Sequence, residues 1–310
     1  MTRLAPPVEC RRDSRYVRDV RVHLVDGTYE LFRAHFSKRP DHTSPRGQAL
    51  KAAVGVCSSM LGLLHESAED VTHIAIAFDN PIRSFRNDLY AGYKTEAGVD
   101  PELLAQFDIV EEAARAIGMV VWRMDRWEAD DALATAAVRF APDVEQVRIL
   151  TPDKDLGQVL RDERIVQVDR VRNKVIDEAR LLEVRGVAPG SIADWLALVG
   201  DTADGFPGLP GFGEKTAAAL LRAFGKLEAI PLTGAWPSDV RGAARLQETL
   251  RARIDEARLY RTLATLVTDV PLPETLEDLR WAGVPREAFG AFCKQIGAKD
   301  DLSARITRWA

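Results

Sequence analysis

The chain has 310 residues, of which 42 are Lys or Arg and 47 are Asp or Glu, giving a formal net charge of −5 at pH 7. Hydrophobic residues make up 46% of the sequence and charged residues 29%, a composition that excludes a fibrous or disordered protein. The apolar runs are far shorter than the roughly 18 residues that cross a membrane, so no membrane span is expected. Residues 1–21 lack the apolar segment of a secretory signal, and the three cysteines are too widely spaced for a disulfide framework or a zinc site. We therefore expect a protein of the reducing cytoplasm.

Short apolar strands alternate with helices through the first half of the chain. The predicted strands are residues 20–25, 73–78, 119–122 and 147–150. The predicted helices are residues 47–65, one helix from Pro101 to about Ile117, and residues 128–140. This alternation is typical of an α/β fold with a mostly parallel central sheet that is covered by helices on both faces.

Helices separated by Gly/Pro turns replace this alternation from about residue 178. They include residues 192–199 and one long helical stretch over about 238–265. The sequence therefore predicts a poorly ordered tail over residues 1–19, an α/β core over 20–177 and a helical region over 178–310.

Carboxylates follow the predicted strands or open the predicted helices, at the edge where open parallel sheets bind ligands. The candidates come from five separate segments and are Asp26, Asp79, Glu128, Asp130, Asp131, Asp153, Asp155, Asp201 and Asp204. Any one of them alone would be interpreted as a helix cap or a turn residue. Gathering so many like charges, however, costs stability unless cations neutralise them. Oxygen ligands without Cys or His select Mg²⁺ or Mn²⁺, and two such ions would activate water and stabilise the attacking and leaving oxygens of a phosphodiester.

A glycine-rich turn that leads into a helix forms a second candidate site. Its closely spaced glycines would let backbone N–H groups approach a phosphate, and the helix N-terminus adds a positive dipole. The turn lacks the strand of a dinucleotide-binding motif and the ending of a P-loop, which leaves a tight turn between packed helices or a hairpin that holds nucleic-acid backbone without reading bases. The DNA-binding candidates here are Gly208, Gly211, Gly213, Lys215, Thr216 and Arg222.

The order of these motifs resembles the 5′ nuclease family, which includes the 5′→3′ exonuclease domain of bacterial DNA polymerase I, phage 5′ exonucleases and flap endonucleases. The resemblance covers about residues 20–270 and is carried by Val25-Asp26-Gly27, Phe78-Asp79, Phe85-Arg86, Tyr93-Lys94, Glu128-Ala129-Asp130-Asp131, Thr151-Pro152-Asp153-Lys154-Asp155-Leu156, Gly200-Asp201, Asp204, and the run from Gly208 to Lys215. It implies a PIN-like 5′ nuclease core in which the nine acids bind metal. It also implies a helix-three-turn-helix motif at about residues 190–227 that binds duplex DNA, with K⁺ as a further ligand. Because the polymerase domain is missing, the chain resembles the stand-alone bacterial form.

Residues 81–100 match the arch of this family, a flexible segment above the metal ions through which the 5′ end passes. The resemblance implies catalytic roles for Arg86 and Lys94, since a cation there would stabilise charge on the scissile phosphate. It also assigns DNA binding to Tyr90 and Tyr93, which could stack on the terminal base. The alternative for each tyrosine is a ring that packs as cover over the core.

The sequence departs from the family pattern at three places. Gly205 stands where the family usually has Asn, which predicts a looser turn after Asp204. Gly157 stands where the family often has Tyr. Residues 95–98 lack a common arginine and carry an acid instead, which predicts a weaker grip on the single-stranded arm.

These features together predict a Mg²⁺-dependent, structure-specific 5′→3′ exonuclease or flap endonuclease of DNA replication or repair, with Mn²⁺ able to replace Mg²⁺. Its substrate would be DNA with a 5′ flap, overhang or nick, and it would act as a monomer. RNA–DNA primers are a further candidate substrate. Two alternatives stay open: a non-catalytic module of the same fold that binds branched DNA, and a PIN-like ribonuclease. The run from Gly208 to Lys215 argues against the ribonuclease, which normally lacks such a motif.

Overall fold

The computed structural model describes residues 17–298 and 302–310. Residues 1–16 of the predicted tail lie outside the described part of the chain. Residues 17–19 belong to the first strand, so the predicted tail extends too far at its C-terminal end.

Six strands form one central sheet within residues 17–298 and 302–310. They are β1 (Val17–Asp26), β2 (His73–Asp79), β3 (Val120–Met124), β4 (Val144–Leu150), β5 (Ile165–Asp169) and β6 (Lys174–Ile176). Their order across the sheet is β3-β2-β1-β4-β5-β6, and every neighbouring pair is parallel except β5 and β6. The mostly parallel sheet expected from the sequence is therefore confirmed. β5 and β6 are not among the predicted strands; β6 has three residues on an exposed edge, whereas β5 is buried along its whole length.

Twelve α-helices are present in the described part of the chain. They are α1 (Gly27–His35), α2 (Lys51–Leu64), α3 (Arg86–Leu89), α4 (Pro101–Leu104), α5 (Phe107–Ala116), α6 (Ala129–Phe140), α7 (Glu178–Arg185), α8 (Ile192–Val199), α9 (Glu214–Phe224), α10 (Ala243–Ala252), α11 (Ile254–Ala264) and α12 (Arg286–Ile296). None of them is long and apolar enough to cross a membrane.

Two helices predicted as continuous are broken in the structure. The helix expected from Pro101 to Ile117 divides into α4 and α5 near Gln106, whose side-chain oxygen accepts hydrogen bonds from the N–H groups of Ala52 (3.0 Å) and Ala53 (3.2 Å). These bonds satisfy donors at the start of α2, where the residue before the helix offers no side-chain cap. The stretch expected over 238–265 divides into α10 and α11 at Arg253.

The sheet has an apolar core on each face, because successive side chains of a strand point to opposite sides. Val22 and Leu24 of β1 lie in one core with α6 and with the helices from α8 to α11. Val25 of β1 lies in the other core with α1, α2 and α5. The last helix, α12, also packs in this second core through Phe289 and Phe292, so the chain returns to the far face of the sheet after building the first.

Candidate active site

Two acids at the ends of neighbouring parallel strands start the site. Asp26 ends β1, and its carboxylate accepts hydrogen bonds from the Tyr29 N–H (2.8 Å) and from the Thr151 hydroxyl (2.8 Å). Asp79 ends β2 and accepts a bond from the Ala129 N–H (2.7 Å) at the start of α6. Both carboxylates are buried, and burial together with their mutual repulsion raises the pKa of Asp26 to about 7.

The start of α6 brings further acids to the same edge. Asp130 lies on its first turn, and burial together with the charges of Asp153 and Asp26 raises its pKa well above the usual range. Asp153 follows β4 and accepts a bond from the Asp155 N–H (2.9 Å). Asp26, Asp153 and Asp201 also line one depression, so carboxylates from separate segments meet at this edge of the sheet.

A second group of acids surrounds Asp155. One carboxylate oxygen each of Asp155, Asp201 and Asp204 lies within 4.8 Å of the others. Asp155 is 4% exposed and its buried Oδ1 has no hydrogen-bond partner in the described part of the chain. Burial and the charges of Asp153, Asp204 and Asp201 raise its pKa well above the usual range. An unpartnered buried oxygen among like charges is the environment that a cation would relieve.

Two lysines offset part of this negative charge. The Lys94 ammonium lies 2.6 Å from Glu128 Oε2 and 3.2 Å from Asp204 Oδ1. Lys154 forms an ion pair with Asp201. Although burial alone would raise the pKa of Glu128, the charges of Lys94 and Arg86 lower it to about 2. Lys94 thus lies within the acid cluster, as its expected catalytic role requires.

The contacts of Arg86 differ from those expected of a catalytic residue. Its side chain is 2% exposed, and its five N–H donors all bond within the protein, to the carboxylates of Glu128 and Asp131 and to the carbonyl oxygens of Leu263 and Thr265. No donor is left for a phosphate. The structure therefore corrects the expected direct catalytic role of Arg86 to one of holding the two acids.

Asp131 also differs from its expected role as a metal ligand. It is fully buried, and each carboxylate oxygen accepts two hydrogen bonds. The donors are Arg86 Nη2 and the Val267 N–H for Oδ1, and Arg86 Nη1 and the Glu128 N–H for Oδ2. These four bonds occupy the lone pairs that a metal would need, so Asp131 belongs to the support of the site.

The two tyrosines of the arch form part of its packed wall. Tyr93 is 3% exposed and donates a hydrogen bond to Glu128 Oε2 (3.2 Å). Tyr90 is half-buried, and its ring packs edge-on against Tyr260 with 6.0 Å between the centroids. The burial of Tyr93 leaves its ring no open face for stacking on a base, so packed cover describes it better. Stacking by the half-buried Tyr90 stays a prediction.

The arch and the turn after Asp204 are in direct contact. The Lys94 N–H donates to the Asp204 carbonyl (3.1 Å). Gly205 has φ +84°, and a Cβ on it would lie 2.2 Å from the Gly92 carbonyl oxygen. Only glycine fits this approach. The prediction of a looser turn at Gly205 is therefore wrong, because the glycine allows the two segments to pack closely.

The candidate DNA-binding residues of the glycine-rich turn differ in whether they are buried or exposed. Gly208 is buried, and a Cβ on it would lie 2.4 Å from the Gly200 N, so this glycine serves packing and does not face a ligand. Gly211, Gly213 and Lys215 are exposed at the start of α9. Arg222 is exposed further along α9, and Thr216 is half-buried on its first turn.

Sequence reasoning missed two residues of the site. The Thr151 hydroxyl fixes Asp26, and the Lys154 ammonium pairs with Asp201. Both belong to the motif that contains Asp153 and Asp155. Thr151 lies two residues before Asp153, and Lys154 lies between Asp153 and Asp155; this position is the signal that could have identified them.

Two family models match consecutive parts of the chain. The model described as "5′-3′ exonuclease, N-terminal resolvase-like domain" matches residues 21–186, and the model described as "5′-3′ exonuclease, C-terminal SAM fold" matches residues 187–287. Among curated proteins, DNA polymerase I of Rhizobium leguminosarum is 37% identical over 83% of this chain and 25% of its own length. The thermostable DNA polymerase I of Thermus thermophilus is 36% identical over 89% of this chain and 33% of its own length. The chain thus spans about a quarter to a third of these relatives.

Solved structures show the same fold at lower identity. The T5 5′-exonuclease with bound divalent metal ions (zinc) has a TM-score of 0.62 at 18% identity, covering 89% of this chain and 98% of the other. The catalytic core of Rad2 in complex with DNA substrate has a TM-score of 0.62 at 16% identity, covering 92% of this chain and 90% of the other. The first family model alone matches more than half of the residues. The chain therefore belongs to the 5′-3′ exonuclease family.

Proposed function

We propose that this chain is a Mg²⁺-dependent 5′→3′ nuclease that hydrolyses DNA phosphodiesters near a junction of single and double strands. The observation that carries this proposal is the meeting of acids from separate segments at one edge of the sheet. Among them, Asp155 Oδ1 is buried and has no hydrogen-bond partner in the residues that the structure describes. The donors are all oxygen atoms, which fits a hard divalent cation and excludes a thiolate or imidazole site.

The acids divide into two groups that would hold metal ions. Asp26, Asp79, Asp130 and Asp153 form the first group, and Asp155, Asp201 and Asp204 form the second. Metal binding by Glu128 stays a prediction of the family resemblance. Bound divalent cations would neutralise these carboxylates and supply Lewis-acid and water-activating chemistry. Mn²⁺ would replace Mg²⁺, since both favour oxygen ligands.

The remaining residues bind and orient the DNA. Lys94 would place a positive charge beside the scissile phosphate, where negative charge develops during hydrolysis. Lys215 and the N-terminus of α9, whose first residues are exposed, would hold duplex phosphates without reading bases. The contact of the Lys94 segment with the turn after Asp204 supports an arrangement in which the duplex grip and the arch act on one substrate.

The substrates we propose are 5′ flaps, overhangs and nicks in DNA, with residues 81–100 forming the wall along which the 5′ strand passes. The DNA polymerase I relatives and the DNA-bound Rad2 core support DNA as the substrate class. Cleavage of RNA–DNA primers, action as a monomer and K⁺ binding at the turn stay predictions of the family resemblance. The division into residues 20–177 and 178–310 is likewise our proposal.

A 5′-labelled flap substrate tests the proposal. The wild-type protein is expected to release short labelled products in Mg²⁺ or Mn²⁺ and none with a chelator, while Asp153→Asn binds the flap without cutting it. If wild type and Asp153→Asn bind equally and both leave the DNA intact, the chain is a branched-DNA-binding module. Faster cutting of a matched RNA than of the DNA flap would favour the ribonuclease alternative.

A further inference from the structure

Three cations that have no ion-pair partner in the described part of the chain line one depression of about 840 Å³. Arg185 is the last residue of α7, Lys215 lies on the first turn of α9, and Arg241 lies in the turn before α10. Within the described part of the chain, none of the three has a carboxylate within 4.0 Å. Their charges therefore remain available to a ligand.

The acids that line the same depression do not neutralise these three cations. Glu183 pairs with Arg180, and Asp239 lies 3.9 Å from Arg222. Glu214 is exposed on the first turn of α9, where a negative charge stabilises the helix dipole. The depression consequently presents unpaired guanidinium and ammonium groups on three separate elements.

Arg185 also borders a second depression, of about 320 Å³, that opens onto the acid cluster. Asp26, Asp153 and Asp201 line this second depression together with Lys154. Of the residues around the two depressions, Arg185 is the one they share. It therefore lies between the start of α9 and the acids that would hold metal.

The guanidinium of Arg185 is held in position by an aromatic ring. Its Cζ lies 5.5 Å from the centroid of Trp195, which is 2% exposed. The indole N–H of Trp195 donates to the Glu214 carbonyl (3.2 Å), so the ring is fixed to the start of α9. A guanidinium packed against an aromatic ring keeps its N–H edges free, and its planar fork suits a phosphate.

We propose that Arg185 binds a backbone phosphate of the DNA between the glycine-rich turn and the acid cluster, and so sets the path of the strand from the duplex grip to the site of cleavage. This proposal rests on the proposed function. The proposal adds a DNA-binding residue outside the glycine-rich turn and the arch, on a helix that carries none of the acids expected to bind metal.

Binding of flap DNA in Ca²⁺ at several salt concentrations tests this role. Arg185→Ala is expected to weaken binding about tenfold, which corresponds to about 1.4 kcal/mol. It should also lower the salt dependence of binding by about one released counterion. Arg185→Lys should retain the salt dependence but lose part of the affinity, because an ammonium cannot contact a phosphate through a planar fork. In Mg²⁺ the loss should appear chiefly in KM.

Arg280→Ala is the control, because Arg280 is exposed, pairs with Glu277 and lines neither depression. It should change neither the affinity nor the salt dependence. Thermal unfolding of each variant checks folding, and Arg185→Gln, which keeps two of the three methylene groups and a polar end but removes the charge, decides the matter if Arg185→Ala is unstable. Equal affinity and equal salt dependence for wild type, Arg185→Gln and Arg185→Lys would overturn the proposal. If the wild type binds DNA but never cuts it, the proposed nuclease function is wrong, and the binding data still test the role of Arg185.

Discussion

Replacement of Arg86 by Ala tests the buried network that supports the acid cluster. The guanidinium makes five hydrogen bonds and is 2% exposed, so solvent cannot take over its role. Removing one partner of a buried ion pair costs about 3–5 kcal/mol, because the other charge stays buried. Two carbonyl oxygens also lose a donor, at about 1 kcal/mol each. We therefore expect Arg86→Ala to lose roughly 5–7 kcal/mol, a large part of the typical free energy of unfolding of about 5–15 kcal/mol.

Urea unfolding followed by ellipticity, in a buffer with chelator, measures this loss. Arg86→Lys should be intermediate, since lysine keeps the charge but has three donors in place of five. Arg83→Ala is the control: Arg83 is 66% exposed and pairs with Asp88, which is 75% exposed, so its loss should fall below about 1 kcal/mol.

A loss below about 1 kcal/mol for Arg86→Ala, with unchanged denaturant dependence, would refute the buried-network reasoning. A loss of kcat without any loss of stability would instead restore the direct catalytic role expected from the sequence. The two readouts thus separate a residue that holds Glu128 from a residue that contacts the substrate.

Three further predictions follow from other contacts. Gly205→Ala should push the Gly92 segment away and destabilise the protein by about 1–3 kcal/mol or more, measured by urea unfolding; an unchanged midpoint would contradict the close approach. The hydrogen bond from His23 lowers the pKa of Glu69 to about 2 from its usual 4.5. The stability that Glu69→Gln loses should therefore be largest above about pH 5 and shrink toward pH 2, measured by thermal unfolding across that range. A difference in stability between wild type and variant that stays constant with pH would argue against this reasoning. Asp155→Asn should raise the melting temperature without metal by removing a repelled charge. It should also lose the stabilisation by Mg²⁺, which in the wild type is about 2.7 kcal/mol at a hundredfold excess over Kd. An equal stabilisation by Mg²⁺ in both proteins would show that Asp155 binds no metal.

The position of the acid cluster could be predicted because parallel strands end at one edge of a sheet. Asp26 and Asp79 end neighbouring strands, and Asp153 follows the strand on the other side of β1. Local patterns therefore place these residues together before any contact is known. The same reasoning placed Asp130, since the helix that begins beside it packs across these strands.

The roles of Arg86 and Asp131 could not be predicted, because they depend on contacts that are distant in sequence. Arg86 bonds to the carbonyl oxygens of Leu263 and Thr265, more than 170 residues away. No local pattern reveals that the arch and the end of α11 meet. The break at Gln106 has a similar origin, since its side chain serves the start of a different helix.

The return of α12 to the second core has a consequence for how the chain can be divided. The first family model ends at residue 186, yet Phe289 and Phe292 complete the apolar layer over α2 and α5 from the opposite end of the chain. A fragment that stops at that boundary would expose this layer to water and lose the carbonyl oxygens that hold Arg86. Excision of either matched half would consequently remove part of the other's interior, and we expect the two to unfold together.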